Sequence, residues 1–360
     1  IGSARVEIGR IDQPARRGTS IKTAHDLLQR YKLRLRRRRY LLRAWRKRRQ
    51  LCRNTDRTDK ITPDTILCFS TVRNERHRLP FFLAHHRQLG VGHFLFVDNG
   101  SDDGTADYLS NQDDVSLWTT QHSYRLSRFG ADWLAWLQIK YGHGKWCLTL
   151  DADEIFIYPY YKTRSLHALV SWLEAEEEVS FGALMLDMYP KGPIGASDVA
   201  PGADPFKALS WFDSGNYTIE RQSKLHNLWI QGGVRSRCFF HHEPRKAPTL
   251  SKTPLVKWDR RFAYVSSTHS LLPRRLNEVY DTGGGEKISG ILLHTKFLPS
   301  AVQKSAEDLD RKQHFENSHL YETYYKSLLD NPNLWCSESQ KFTGWRQLEK
   351  SGLMSRGGWI

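Results

Sequence analysis

The sequence predicts an α/β fold in which a sheet of mostly parallel strands is flanked by helices. Between residues 61 and 190, short apolar runs alternate with amphipathic stretches about a dozen residues long. Polar clusters follow three of these runs, a pattern typical of parallel strands that end at a binding edge. The 360 residues, of which 39% are hydrophobic and 12% aromatic, can bury a substantial core.

The first 60 residues are predicted to form a basic arm ahead of a globular region, residues 61–360. Residues 1–20 are polar and show no period. From Ile21 to about Gln50, apolar residues recur at helical spacing, which predicts a long amphipathic helix. Thirteen lysines and arginines and no acidic residue lie between Arg30 and Arg53, so the rest of the chain carries only about +2 of the net charge of +15.

A basic amphipathic helix of this kind can serve three purposes. It can lie on an anionic membrane surface, pack against its own domain, or neutralise nucleic-acid phosphates. Membrane contact is favoured slightly over packing, and nucleic acid is disfavoured because no helix-turn-helix, RNP-type or zinc-finger pattern accompanies the arm. Five widely spaced cysteines without a C-x-x-C pair, and no apolar run of membrane-spanning length, predict a cytoplasmic protein that is either soluble or peripheral on the inner face of the cytoplasmic membrane.

Residues 61–190 are predicted to contain four strands joined by three helices. The strands are expected at 66–72, 93–97, 115–119 and 146–150, and the helices at 79–89, 105–109 and 131–141. Pro80 in the first turn and Gly90 after the last turn mark the ends of the first of these helices. Strands that alternate with helices in this way form βαβ units and therefore a parallel sheet.

Polar residues follow three of the predicted strands, at 71–75, 98–101 and 151–154. The carboxyl ends of parallel strands share one edge of a sheet, so these three clusters should converge. Asp151 and Asp153 would offer hard oxygen ligands that suit Mg²⁺ or Mn²⁺, which usually also bind substrate phosphates. A D-x-D tripeptide is short and common, and the convergence of three clusters is what favours a metal–diphosphate site. Asp102, Asp103 and Thr105 are expected to serve the turn and the helix cap.

Three segments of the chain resemble the nucleotide-sugar half of family 2 glycosyltransferases: STVRNE at 70–75, VDNGSDDGT at 97–105 and LDADE at 150–154. The likeness is to the bacterial branch that also resembles family 92 enzymes, and it covers about residues 64–190. It implies a GT-A type fold, a Rossmann-like mixed sheet flanked by helices, with a nucleotide-sugar half (61–190) and an acceptor half with C-terminal helices (191–360). It also implies an inverting enzyme of surface polysaccharide synthesis.

The same resemblance implies the ligands and the roles of individual residues. The donor would be a nucleotide diphosphate sugar, first of all a UDP-sugar, with Mn²⁺ or Mg²⁺ as cofactor, and the acceptor a glycan or a lipid-linked molecule. Asp98 would hydrogen-bond the base, Asp151 would contact ribose or metal, and Asp153 would bind the metal that bridges the phosphates. The remaining residues expected at the nucleotide are Thr71, Arg73, Asn74, Glu75, Asn99 and Ser101.

The second half of the chain offers weaker signals. His294 follows the apolar run 291–293 and is a candidate to complete the metal shell as a neutral imidazole, with His269 as the second choice. Either histidine can instead be a hydrogen-bonded residue beside the core. An inverting enzyme also needs a carboxylate that deprotonates the acceptor hydroxyl. Asp213 and Glu243 are the candidates, although the Glu-Asp pair usual in family 2 is not visible here.

Further structure is predicted for the remaining stretches of this half. Residues 190–205, rich in Pro and Gly, are predicted to form a loop, and helices are predicted at 301–327 and around 345–350. The uncertain base leaves open a second class of function, a non-catalytic protein of the same fold that binds nucleotide or glycan.

Overall fold

A nine-stranded mixed sheet organises the part of the chain that the computed structural model describes, residues 19–196, 199–280, 286–299, 324 and 326–360, with side chains from residue 26. The strands are β1 (Cys52–Thr55), β2 (Leu67–Val72), β3 (His93–Asp98), β4 (Val115–Thr119), β5 (Trp146–Thr149), β6 (Glu154–Ile157), β7 (Ser180–Asp187), β8 (Trp211–Phe212), β9 (Thr218–Arg221), β10 (Leu228–Gln231), β11 (Ser251–Lys257), β12 (Ala263–Tyr264), β13 (Leu271–Leu272), β14 (Gly290–His294) and β15 (Gln340–Lys341). The helices are α1 (Thr19–Lys47), α2 (Leu79–Leu89), α3 (Thr105–Ser110), α4 (Ala131–Leu137), α5 (Leu166–Ala175), α6 (Gly233–Cys238) and α7 (Trp345–Lys350).

The order of strands in the large sheet is β1-β4-β3-β2-β5-β11-β7-β14-β6. Strands β4, β3, β2 and β5 run parallel, and their register places Val72 opposite Asp98 and Asp98 opposite Thr119. All six residues of β3 are buried, as expected for a parallel strand covered on both faces. The predicted α/β class with a sheet flanked by helices is thus confirmed, and the strand ends of β2 and β3 lie side by side.

The second half of the sheet is mixed. Strand β11 runs antiparallel between β5 and β7, β14 lies parallel to β7, and β6 is antiparallel to β14 at the edge. Residues 150–153 therefore lead from the end of β5 to a strand four positions further along the sheet. The register sets His294 opposite both Asp187 and Glu154, which brings three distant parts of the sequence to one place.

Several boundaries differ from the prediction. The helix expected at 131–141 is α-helical only to Leu137 and continues as a π-helical turn, Gln138–Gly142. That turn directs the buried Gln138 amide to the Thr149 hydroxyl, 2.9 Å away, at the end of β5. The helix predicted around 345–350 is present as α7. The helix predicted at 301–327 lies almost entirely outside the described residues.

Helix α1 packs against α4 through one of its sides. Leu33 and Ala44 are buried, and the Arg43 guanidinium donates to Asp132 Oδ2 over 2.8 and 3.0 Å. The α-helix ends at Lys47, and residues Arg48–Gln50 form a 3₁₀ turn. None of the helices in the described ranges is long and apolar enough to cross a membrane.

Candidate functional site

The loops after β2 and β3 are joined by hydrogen bonds around Ser101. The Asn74 N–H donates to Ser101 Oγ over 2.9 Å, and the Asp102 N–H donates to Asn74 Oδ1 over 3.0 Å. The Ser101 N–H donates to Asp98 Oδ2 over 3.1 Å, and the Ser101 hydroxyl donates to Asp98 Oδ1. Asn74 adopts a left-handed backbone with φ 52°, which asparagine tolerates better than most residues. Three residues expected at the nucleotide are therefore held in one network.

Other residues expected at the nucleotide line the same edge. Arg73 donates to the Asn99 carbonyl over 2.9 Å, while the Asn99 amide donates to the carbonyl of Thr120 over 3.1 Å. Within the described ranges, the Thr71 hydroxyl is buried and has no hydrogen-bond partner. Gly130 lies against it with φ +76°, and a Cβ there would come within 2.6 Å of Thr71 Oγ1, so only glycine fits.

The turn between β3 and α3 has the local role that the sequence predicts. Asp103 accepts hydrogen bonds from the N–H groups of Arg76 and Thr105 over 3.0 and 2.9 Å. The Thr105 hydroxyl accepts from the Glu75 N–H over 3.0 Å, and the Glu75 carboxylate pairs with Arg78 at 2.8 Å. Glu75 is thus tied to the protein through both its backbone and its side chain.

At the far side of the edge, Asp153, His294, Asp187 and Arg235 form an ion-paired chain that we call the histidine network. His294 Nε2 lies 3.0 Å from Asp153 Oδ2, and Nδ1 lies 2.6 Å from Asp187 Oδ1. Arg235, from α6, donates to the same Asp187 oxygen over 2.6 Å, and the same guanidinium nitrogen lies 2.8 Å from His294 Nδ1. The structure thus brings the predicted pair Asp153 and His294 into contact.

The charges of this network act on one another through a protein interior. Burial opposes ionisation of Asp153, but the charge and hydrogen bond of His294 and the charge of Arg78 outweigh it, so the Asp153 pKa lies well below its ordinary value. Burial likewise disfavours a charged His294, yet the carboxylates of Asp153 and Asp187 raise the His294 pKa. Asp153 is therefore an ionised carboxylate at neutral pH.

Next to it, Lys252, Asp151 and Glu154 form a second group that we call the lysine network. The Lys252 ammonium lies 3.0 Å from Asp151 Oδ2 and also contacts Glu154 Oε1. The other oxygen of Glu154 accepts the Asp151 N–H over 3.1 Å. Burial works against the charge of Lys252, but the two carboxylates raise its pKa, whereas burial raises the pKa of Glu154 to about 7.

The two aspartates of the D-x-D differ in exposure. The Asp151 side chain is 51% exposed, and the Asp153 side chain is 24% exposed. Within the part of the chain that the structure describes, no hydrogen bond or ion pair engages Oδ1 of Asp151 or Oδ1 of Asp153, and these oxygens are the ones available to a ligand.

His269 lies apart from the histidine network. Its Nδ1 is 2.8 Å from the Ser251 carbonyl oxygen, and burial lowers its pKa to about 4. The structure places His269 beside the start of β11, where its partner Ser251 directly precedes Lys252. No hydrogen bond joins His269 to Asp153 or His294. Ligation by His269 stays a prediction.

The two candidate bases lie in different surroundings. Asp213 is buried, accepts from Arg237 over 2.9 and 3.0 Å, and also accepts the Tyr189 hydroxyl. Glu243 is exposed and pairs with Lys246 at 2.7 Å. Neither carboxylate contacts the two networks, and the role of each as base stays a prediction.

The residues present fit a divalent cation held partly by substrate. Among the residues that the structure describes, no three His, Cys, Asp or Glu side chains form a complete metal-binding group. However, Asp153 Oδ2 and His294 Nε2 are 3.0 Å apart, which is about the spacing of neighbouring ligands around a metal with bonds of about 2.1 Å. Mg²⁺ usually takes only one or two carboxylates from the protein, together with water and phosphate.

Sequence reasoning missed Asp187, Arg235 and Lys252. Asp187 did carry a signal, because it ends the buried run of β7 as Asp98 ends that of β3. Lys252 lies between Ser251 and Thr253, in a polar stretch where a lysine gives no sign that it turns towards carboxylates from another segment. Arg235 lies on a helix of only six residues, which sequence patterns do not reveal.

Comparisons with known proteins give only distant structural likenesses. No family model matches the chain, and no curated protein matches it. One similar solved structure is a Bacillus anthracis protein described as a glucose-1-phosphate thymidylyltransferase, with 9% identity and a TM-score of 0.29 over 73% of this chain and 82% of that one. Another is an apo UDP-glucose pyrophosphorylase, with 9% identity and a TM-score of 0.26 over 53% of this chain and 75% of that one. At these values neither likeness bears on the activity of this chain.

Proposed function

We propose that the protein is a metal-dependent inverting glycosyltransferase of the family 2 type. It would move a sugar from a nucleotide diphosphate sugar to a glycan or a lipid-linked acceptor. The observation that supports this most is that the Asp98–Ser101 loop, the Asp151–Asp153 segment and His294 lie at the carboxyl ends of β3, β5 and β14, which face the same edge of the sheet. A ligand with a base at one end and phosphates at the other matches such an edge.

Asp153 and His294 would hold Mg²⁺ or Mn²⁺, with Asp151 turning to the metal or to the ribose, and the cation would neutralise charge on the departing nucleoside diphosphate. Asp187 holds the His294 ring through Nδ1, leaving Nε2 directed at Asp153.

The charge balance of the two networks supports a divalent cation. Asp151, Asp153, Glu154 and Asp187 supply four carboxylates, whereas Lys252 and Arg235 supply two permanent positive charges. When His294 is neutral, as a metal ligand must be, two negative charges are left over if Glu154, whose pKa burial raises to about 7, is ionised, and one if it is protonated. A bound divalent cation would offset them.

The test is sugar transfer with a panel of nucleotide sugars and Mn²⁺, read as release of nucleoside diphosphate. Asp153→Asn should lower transfer by about 100-fold or more because it removes an anionic ligand without changing shape. Asp107→Asn, an exposed carboxylate on α3, is the matched control and should behave like the parent. Equal turnover by the Asp153→Asn protein and the parent would refute the metal role.

A second candidate function is a non-catalytic protein that binds nucleotide or glycan with this fold. The observation that favours it is that both candidate bases already have partners. Asp213 accepts hydrogen bonds from Arg237 and Tyr189, and Glu243 forms an ion pair with Lys246 at the surface. Calorimetry that detects nucleotide binding, with no transfer across broad donor and acceptor panels, would select this function. Loss of transfer in Asp213→Asn or Glu243→Gln, with nucleotide binding unchanged, would instead identify the base.

A further inference from the structure

Helix α1 has two faces with different environments. Its inner face is attached to the body: Asp26 pairs with Arg274 at 2.6 Å, and Arg128 stacks on the Tyr40 ring at 3.7 Å. Leu33 is buried against Val265 and Leu272. These contacts fix the helix on the body of the protein, and they determine which side of the helix faces solvent.

The outer face carries large apolar side chains that remain in solvent. Six of them are between 44% and 64% exposed, and we call them the outer stripe: Leu27, Leu28, Tyr31, Leu35, Leu42 and Trp45. Their spacing follows one side of a helix, interrupted at Arg38. Among the described residues, these six make up most of the large hydrophobic side chains that are exposed. A contiguous exposed patch of this kind marks a binding surface.

Basic side chains flank the outer stripe. Arg34, Arg38, Arg39, Arg46 and Arg49 are all exposed, and the helix contains a single acid, Asp26, which faces Arg274 on the body. An apolar stripe with arginines on both sides is the pattern of a helix that lies in the plane of a membrane surface.

A cleft at the C-terminal end of α1 continues the basic surface. It has a volume of about 330 Å³ and is lined by Arg48, Arg49, Arg53 and Lys140 together with the rings of Trp118, Trp136 and Tyr141. Arg48 stacks over Trp45 at 4.1 Å, which connects the cleft to the outer stripe. Trp, Tyr and Arg side chains are favoured at the depth of lipid headgroups. The cleft therefore matches a phosphate-bearing headgroup in chemistry and position.

We propose that the outer stripe and this cleft together form a docking surface for an anionic lipid bilayer. The leucines would enter the boundary between headgroups and acyl chains, while the arginines and the cleft would contact lipid phosphates. Binding to nucleic-acid phosphates would account for the arginines equally well, but it would not bury the four exposed leucines. The proposal is independent of sugar transfer, because it concerns a surface away from the two networks.

The test is co-sedimentation of the full chain with vesicles of phosphatidylcholine, alone or mixed with phosphatidylglycerol. We expect binding only to the anionic vesicles. The double variant Leu35→Ser/Leu42→Ser should bind at least about 30-fold more weakly at every salt concentration, because it removes apolar area without changing the charge. Arg38→Glu/Arg39→Glu should weaken binding by at least about tenfold at low salt and less at high salt.

Matched controls are available on other parts of the surface. Ile219→Ser replaces an apolar residue that is 65% exposed on the β9–β10 hairpin, and Lys350→Glu reverses an exposed charge on α7. Both should bind vesicles within about twofold of the parent, and all variants should keep the parent's melting temperature because the changed side chains face solvent.

Two results would overturn the proposal. One is vesicle binding that the leucine substitutions leave unchanged. The other is tight binding to structured RNA with no binding to anionic vesicles, which would assign the surface to nucleic acid. The assay contains no donor sugar, so neither result depends on the proposed transferase activity.

Discussion

The lysine network and the histidine network lie next to each other, and each stabilises buried carboxylates by a different arrangement of positive charge. In the lysine network the buried Lys252 ammonium pairs with the carboxylates of Asp151 and Glu154, and the Asp151 side chain remains half exposed. In the histidine network the Arg235 guanidinium contacts both Asp187 and His294, and the His294 ring links Asp187 to Asp153. The first leaves a carboxylate open to solvent, and the second holds one in place.

This difference separates two tasks that a D-x-D segment must perform. Asp153 is oriented by His294, whose ring is itself held by Asp187, so its position is set before any ligand arrives. Among the described residues, Lys252 alone contacts the Asp151 carboxylate, which can therefore adjust to a ligand. The pair thus combines one preorganised and one adaptable carboxylate.

The largest effect is expected from breaking the lysine network. Lys252→Met should lower the free energy of unfolding by about 3–5 kcal/mol, because it leaves Glu154 buried without its cation. Urea unfolding measures this. Lys257→Met is the matched control on the same strand, since its partner Glu174 is exposed, and it should cost less than about 1 kcal/mol.

A companion variant makes the cause explicit. Adding Glu154→Gln to Lys252→Met should recover part of the lost stability, because the amide no longer carries a buried charge. If the double variant is as unstable as the sum of the two single variants, the pairing does not explain the effect.

A smaller effect, on ligand binding, is expected in the histidine network. Asp187→Asn keeps the shape but loses the charge that holds His294, and we expect Mn²⁺ affinity in the presence of nucleoside diphosphate to fall by 10- to 100-fold. Calorimetric titration with Mn²⁺ measures it. Asp213→Asn, a buried carboxylate bonded to Arg237 rather than to a histidine, is the control. Equal losses in both variants would contradict a specific role for Asp187.

The smallest effect concerns a buried histidine outside the networks. His93 contacts Ser116 Oγ at 2.9 Å, and burial lowers its pKa to about 4, the opposite direction from His294. Between pH about 6.5 and 4 the unfolded chain therefore binds a proton that the folded chain does not, and stability falls as pH falls, by at most about 1.4 kcal/mol per pH unit for this residue. Urea unfolding at several pH values measures the slope.

The matched variants isolate that slope. His93→Gln should flatten the fall of stability in this pH range, while His143→Gln, at an exposed histidine, should leave the slope as in the parent. A slope that neither substitution changes would assign the acid sensitivity to other groups, such as the buried His86, whose pKa burial also lowers.

Much of the first half of the fold could be predicted from the sequence. The strand predicted at 115–119 and the helix predicted at 79–89 have the bounds observed, and the other three strands differ by one residue at one end. Parallel strands that are buried on both faces consist of continuous apolar runs, and such runs can be recognised in the local sequence. The π-helical turn after Leu137 could not be predicted, because a contact with Thr149 accompanies it.

For the candidate site, the sequence by itself determined which polar residues follow β2, β3 and β5, because the turn residues at strand ends are local signals. It also placed Asp151 and Asp153 two residues apart at such an end. Only the tertiary structure decided what those carboxylates contact. Lys252 lies about 100 residues from Asp151 and His294 lies 141 residues from Asp153, so their pairing depends on strand order and register. Burial, which is a property of the whole fold, then decides how strongly each pair interacts.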